Sequence, residues 1–177
     1  MFWKHGYEPA SIAALTEAMG IRPASLYAAF GDKRRLFNEA VARYQATHGA
    51  FTGAALAEGP TARCTIERML REIAVNYTDP GHPPGCLIIS GATNHGPDTA
   101  AVEADLREIR RLSRQAVLER IRKGVEDGEL APDTDAEALA DFIATVARGM
   151  SRSAQDGATA DELLKVADLA MKAWPSP

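Results

Sequence analysis

Two groups of residues in this 177-residue chain are equipped for chemistry. The first is Cys86, which follows HPPG and lies near His82 and His95, a set that invites a thiol sensor, a Cys–His nucleophile or a metal site. Against that reading, the spacing of His82, Cys86 and His95 matches no compact zinc pattern, and a lone cysteine opening an apolar run such as CLIIS is ordinarily core. Nor do an acid, a base and an orienting group come together elsewhere, which leaves a helical enzyme acting on a small electrophile without support. No cofactor or metal is expected. The second group is cationic. The stretch GIRPASLYAAFGDK, residues 20–33, is short of long polar side chains, yet it holds Arg22 at one end and meets Lys33, Arg34 and Arg35 at the other. Such a segment is either buried packing or the part of the molecule that meets a polyanion.

Charge favours the head of the chain for that role. Through Thr47 there are six basic residues against four acidic ones, and the remainder holds fourteen against twenty, although the whole chain carries a formal charge of -4. A basic head on an acidic body admits a polyanion at one end and disfavours it at the other. Two cysteines, Cys64 and Cys86, are too few for a disulfide framework, nothing at the N-terminus resembles a signal peptide, and no apolar run approaches the roughly 20 residues of a membrane span. A cytoplasmic protein with no membrane partner is expected.

The elements that must position these groups are helical. The composition is rich in Ala, Leu, Glu and Arg, with aromatic residues at 6% and few clustered β-branched residues, which favours an all-α fold. Thr61 to Tyr77 carries Cys64, Met69, Leu70, Ile73 and Tyr77 at helical spacing until DPGHPPG breaks it. CLIIS has no second strand to pair with and reads as a short buried helix. From Asp98 the series Val102, Leu106, Ile109, Leu112, Ala116, Ile121 and Val125 marks one long amphipathic helix ending near Glu126. A further helix starts near Thr134, and the last opens on a Thr159/Glu162 capping box. This pair offers more apolar surface than one neighbour would cover. A two-fold four-helix interface is expected, formed by Leu139, Ile143, Ala147, Met150, Leu163, Ala167, Ala170 and Trp174; the alternative is that both helices are used up inside one chain.

At the head, Ser11 to Met19 reads as a helix with Ile12 and Leu15 inward, stopped by Gly20. Pro23 sits where a first helical residue belongs. Helix, short Gly-containing turn and second helix together make the helix-turn-helix signature, with Leu26 and Phe30 on the inner face of the second helix. Arg22, Ala24, Ser25, Tyr27, Ala28 and Ala29 point elsewhere.

As a set, GYEPASIAALTEAMGIRPASLYAAFGDKRRLFNEAV resembles the DNA-binding domain of the TetR family of bacterial transcriptional regulators, through its G-Y, S-I-A, G-I turn, S-L-Y-x-x-F helix and following G-x-K. The resemblance implies a helix-turn-helix domain over residues 1–47 and a helical effector-binding and dimerisation domain over 48–177. It implies a homodimer on double-stranded, pseudo-palindromic operator DNA, released by a small-molecule effector, and a repressor by family tendency. Arg22, Pro23, Ala24, Ser25, Tyr27, Ala28 and Ala29 then fall on the groove-facing side. Ser25 and Tyr27 match phosphate-binding positions, Lys33 a phosphate contact opening the next helix, and Ser11 a further phosphate donor. Arg22 is the one long side chain able to reach a guanine edge, so thymine methyls and DNA shape must carry much of the specificity.

In the family the opening helix runs three or four turns before the Gly-Tyr, whereas here only MFWKH precedes Gly6. Either the chain starts late or residues precede Met1, and the alternative function is a helical interaction or ligand-binding protein that has lost DNA binding. An effector site among the later helices would be lined by Met69, Ile73, Tyr77, Leu87, Leu112, Phe142 and Val146, and would take a small, largely apolar molecule.

Overall fold

The computed structural model describes residues 1–92 and 99–175, and every regular element in them is a helix. The head comprises α1 (Phe2–His5), α2 (Ile12–Met19), α3 (Pro23–Phe30) and α4 (Lys33–Ala46). The Ser11 hydroxyl accepts the Ala14 N–H at 3.1 Å and so caps α2. Gly20, at φ 66°, ends that helix in the left-handed region, which a side chain would resist. Arg22 supplies extended backbone before Pro23, whose fixed φ and missing N–H suit a first helical position. Leu15, Leu26, Phe37 and Val41 pack beneath the motif, and Phe2 of α1 joins them edge-on to Phe37 at 5.0 Å.

The body comprises α5 (Ala50–Glu58), α6 (Ala62–Tyr77), α7 (Leu87–Ser90), α8 (Ala100–Glu126), α9 (Ala136–Gln155) and α10 (Ala160–Lys172). Helix α6 is the central rod. Its buried face runs through Ile66, Met69, Leu70, Ile73 and Tyr77, and α5, α9 and α10 all lie against it. Cys64, expected on that stripe, is exposed, because it lies roughly opposite Ile66 around the helix. CLIIS is the short helix α7, with Leu87 and Ile88 buried.

The long helix α8 spans about 40 Å at 1.5 Å per residue. Its buried stripe runs through Val102 and Leu106 and resumes at Val117, Leu118 and Ile121, while Leu112 between them is 52% exposed. Asp98, taken as its start, and His95 lie outside the described residues. At the far end of α8 a polar knot ties it to the start of α6. Glu129 accepts the Ala62 N–H and faces Arg120 at 3.6 Å, and Arg120 donates to Thr65 Oγ1 at 3.3 Å.

Asp135 caps α9, and both halves of the Thr159/Glu162 capping box are present at α10. The inner stripe of α9 is Ala140, Ile143, Met150 and Ala154, and that of α10 is Leu163, Ala167, Ala170 and Met171. No helix among the described residues is long and apolar enough to cross a membrane.

Candidate nucleic-acid interface and effector cavity

Helix α3 is held by one deeply buried side chain, Leu26, with Phe30 half-buried behind it. Arg22, Pro23, Ala24, Ser25, Tyr27, Ala28 and Ala29 are all exposed, Tyr27 to 49%. With four small residues among them, the outer surface of α3 is low, so its backbone can approach another surface closely. Ser11 is exposed at the start of α2, where its oxygen accepts from Ala14 while its O–H remains available to donate.

The first turn of α4 is unusual in charge. Lys33, Arg34 and Arg35 crowd the end where a helix already presents positive potential, and no acidic residue shares that turn. Asp32 offsets part of this by accepting the Arg35 N–H at 2.8 Å. An external anion would offset the rest. Lys33 is not a free solvated charge: its ammonium donates to the Glu8 carbonyl at 3.2 Å and sits 4.4 Å above the Tyr7 ring, and partial burial there lowers its pKa. It is thereby aimed from the loop before α2 rather than swinging freely. Arg34 turns the other way and pairs with Asp105 of α8 at 2.9 Å.

The head is clipped to the body through α7. The Tyr7 N–H donates to the Gly91 carbonyl at 2.7 Å, and Trp3 Nε1 donates to the Gly85 carbonyl at 3.3 Å. Trp3 also stacks on His82 at 4.4 Å and meets Tyr44 edge-on at 4.8 Å.

The other face of the same segment, at Cys86, Ile88 and Ile89, helps wall a cavity of about 660 Å³ between α5, α6, α8 and α9. That size falls among small-molecule sites. Of the residues expected there, Met69, Ile73, Tyr77 and Leu112 line it. Leu87, Phe142 and Val146 do not: Leu87 is sealed in the core, and Phe142 is 38% exposed on the outer side of α9. Sequence reasoning missed Tyr44, Phe51, Arg110, Arg114 and Arg148. Phe51 comes from a helix with no clear stripe of its own, Tyr44 continues the Phe37 and Val41 stripe of α4 that packs under the head, and the arginines read as ordinary solvated charges.

Tyr44 and Tyr77 converge on Cys86, and burial is the main cause that raises both phenols well above the ordinary tyrosine range, the Cys86 thiol adding to it. Cys86 thus packs between two neutral hydroxyls. Among the described residues no group of His, Cys, Asp and Glu is placed to hold a metal ion.

The residues assigned to a dimer interface divide. Ile143, Met150, Leu163 and Ala167 are at most 2% exposed, and Ala170 and Trp174 are also buried, so these six are spent inside one chain. Ile143 and Ala147 border the cavity, and Leu139 is half-buried against the core. The apolar side chains turned outward are Phe142 on α9 and Val166 and Leu169 on α10, the last 66% exposed. Each of the two helices thus carries an inner apolar stripe and outward apolar side chains, which periodicity alone does not separate.

Residues 60–166 match the family model described as the tetracyclin repressor-like C-terminal domain, and residues 1–40 that described as bacterial regulatory proteins, tetR family. The chain belongs to the TetR family. Among its relatives in this family, the transcriptional repressor ComR of Escherichia coli K12 is 31% identical over 99% of this chain and 84% of its own length. BdcR, a repressor of the same organism, is 28% identical over 98% of this chain and 83% of its own length. A cysteine-substituted form of the TetR regulator CifR, solved with 26-base-pair double-stranded operator DNA, superposes with a TM-score of 0.95 at 46% identity, covering 98% of this chain and 91% of that one. A TetR regulator from Rhodococcus sp. RHA1 superposes with a TM-score of 0.68 at 37% identity, covering 99% and 94% of the two chains.

Proposed function

We propose that this TetR-family chain is a transcriptional repressor that binds a pseudo-palindromic operator as a homodimer in the cytoplasm and lets go when a small molecule occupies the cavity. It acts by binding rather than by catalysis. The observation that carries the reading is α3 and its N-cap, seven exposed residues around a buried Leu26, beside a helix start bearing three cations. Ser25, Tyr27 and Lys33 hold phosphates, Ser11 adds a donor, and Arg22 reaches a base edge. Phe142, Val166 and Leu169 pair with the same residues of a second copy. Two heads then sit one helical turn of DNA apart, about 34–36 Å.

Release follows from α7, which belongs to both the cavity wall and the head clip. An effector that favours a different placement of α7 favours a different spacing of the two heads, and a difference in affinity between the two states is all that release requires. A reporter driven by the DNA flanking the protein's own gene tests this: the wild type represses it, and the Ser25→Ala/Tyr27→Ala/Lys33→Ala variant, equally abundant, does not. Equal repression by both would reject the role given to α3.

A further inference from the structure

The polar lining of the cavity is one-sided in charge. Arg110, Arg114 and Arg148 line it, and among the described residues no Asp or Glu does. They stand together: Arg110 and Arg114 are one turn apart on α8, while Arg114 and Arg148 both act on Asp141, which lies outside the lining. Arg114 is committed, held by Asp141 at 2.8 Å and Glu137 at 2.6 Å.

The other two have capacity left. A guanidinium has five N–H donors. Arg110 places one on the Ile88 carbonyl at 2.8 Å and one on Glu103 at 2.9 Å. Arg148 donates to Thr145 Oγ1 at 3.2 Å, and no carboxylate is bridged to it among the described residues. The rest of the wall is uncharged, apolar residues such as Met69, Ile73 and Ile143 with Tyr44, Tyr77 and Ser113 among them. Glu103 balances Arg110, and Asp141 and Glu137 balance Arg114, so the lining charge left over is that of Arg148, which a purely apolar ligand would leave unused.

We infer that the effector is an amphipathic anion, an apolar body bearing one carboxylate, whose charge is held by Arg148 and Arg110. This rests on reading the cavity as the effector site, and it replaces a merely apolar ligand with a charged class. The same residues supply a route outward. The Arg110 guanidinium fastens α7 through Ile88, and α7 ends at the Gly91 carbonyl that holds Tyr7. A carboxylate competing for Arg110 therefore acts on the element that carries the head, which a neutral molecule of the same shape does less well.

The test uses the full chain bound to fluorescent operator DNA and matched probes: hexanoate, octanoate, decanoate and phenylbutyrate, each against its own primary alcohol. Release of DNA and the melting temperature of the free protein are both read. The acids should release operator at concentrations about tenfold or more below those of their alcohols, as expected for a charge met by guanidinium in a partly desolvated site. Arg148→Met, which removes an exposed side chain and should melt as the wild type does without ligand, should bring each acid to within about twofold of its alcohol, and Arg148→Lys should restore part of the gap.

Equal potency of acids and alcohols, an acid preference that survives Arg148→Met, or no effect of any acid on a protein that binds operator would overturn the charged class while leaving the repressor reading intact. Failure of the wild type to bind operator at all would instead remove the functional reading beneath it.

Discussion

The backbone N–H of Tyr7 donates to the carbonyl of Gly91 at 2.7 Å, so the turn that leads into the helix-turn-helix is fastened to the end of the helix that walls the cavity. Gly6 makes the approach possible. It lies at φ +82°, and a Cβ there would stand 3.3 Å from the Gly91 oxygen. Gly128 has a similar φ of +76° with open space around it. It therefore serves as a control for a side chain at positive φ without the clip.

Gly6→Ala and Gly128→Ala should each cost about 1–3 kcal/mol, the range for a side chain forced into the left-handed region. For a chain of this size that corresponds to a drop of about 2–4 °C in Tm per kcal/mol. Only Gly6→Ala should also weaken operator binding, measured by fluorescence anisotropy at fixed salt. A matching loss of affinity in Gly128→Ala would show that the clip has no special part in placing the head.

Lys33 and Arg22 should fail in different ways. Lys33→Ala should weaken operator and random DNA alike and flatten the dependence of log affinity on log salt by about 0.9, the release of one phosphate-bound cation. Arg22→Ala should cost about 1–3 kcal/mol on operator and little on random DNA, because a base-edge contact is lost. Salt titrations on both DNAs separate the two. An unchanged salt slope in Lys33→Ala would remove its phosphate assignment.

The outward stripe on α9 and α10 yields a test of assembly. Leu169→Glu places a charge at the most exposed apolar position of the pair and should give monomers in sedimentation velocity with the Tm of the fold nearly kept, since Leu169 is 66% exposed in one chain. Its operator affinity should fall by at least about tenfold, because the second half-site no longer comes with the first. A stable dimer in this variant would move the interface elsewhere.

Burial of Tyr44 and Tyr77 predicts a pH limit. Both phenols titrate higher in the fold than when unfolded, so their contribution is fully present below the unfolded tyrosine pKa of about 10 and is lost as pH rises through the folded values. Urea denaturation between about pH 8 and about pH 11 should show stability falling toward the alkaline end, and Tyr77→Phe should flatten that fall. An equally steep fall in the variant would place its cause in other groups.

How far the sequence reached depends on how each residue announces itself. The head was legible because its signals are local: Ser11 as a cap, Gly20 in the left-handed turn, Pro23 opening a helix, and Leu26 four residues before Phe30. The long helices were legible from their periodic stripes. Helix α5 was not, since AFTGAALAE has apolar residues on every side and only Ala55 becomes deeply buried. The cavity was half legible. Met69, Ile73, Tyr77 and Leu112 lie on it, but whether an apolar residue on α9 faces the cavity, the core or the outside depends on a rotation of the helix that periodicity leaves open, and Phe142 and Val146 fell on the wrong side. Arg110, Arg114 and Arg148 gave no signal, because nothing in one sequence distinguishes a charge at a cavity from a charge in solvent.

The most direct test of the repressor reading is an anisotropy titration of the wild-type chain against labelled DNA flanking its own gene and a scrambled duplex of equal length, at physiological salt. Two chains per site, and an affinity for the flanking DNA at least about a thousandfold above that for the scrambled duplex, are predicted. Equal, strongly salt-dependent binding to both duplexes, or no binding to either, would contradict it.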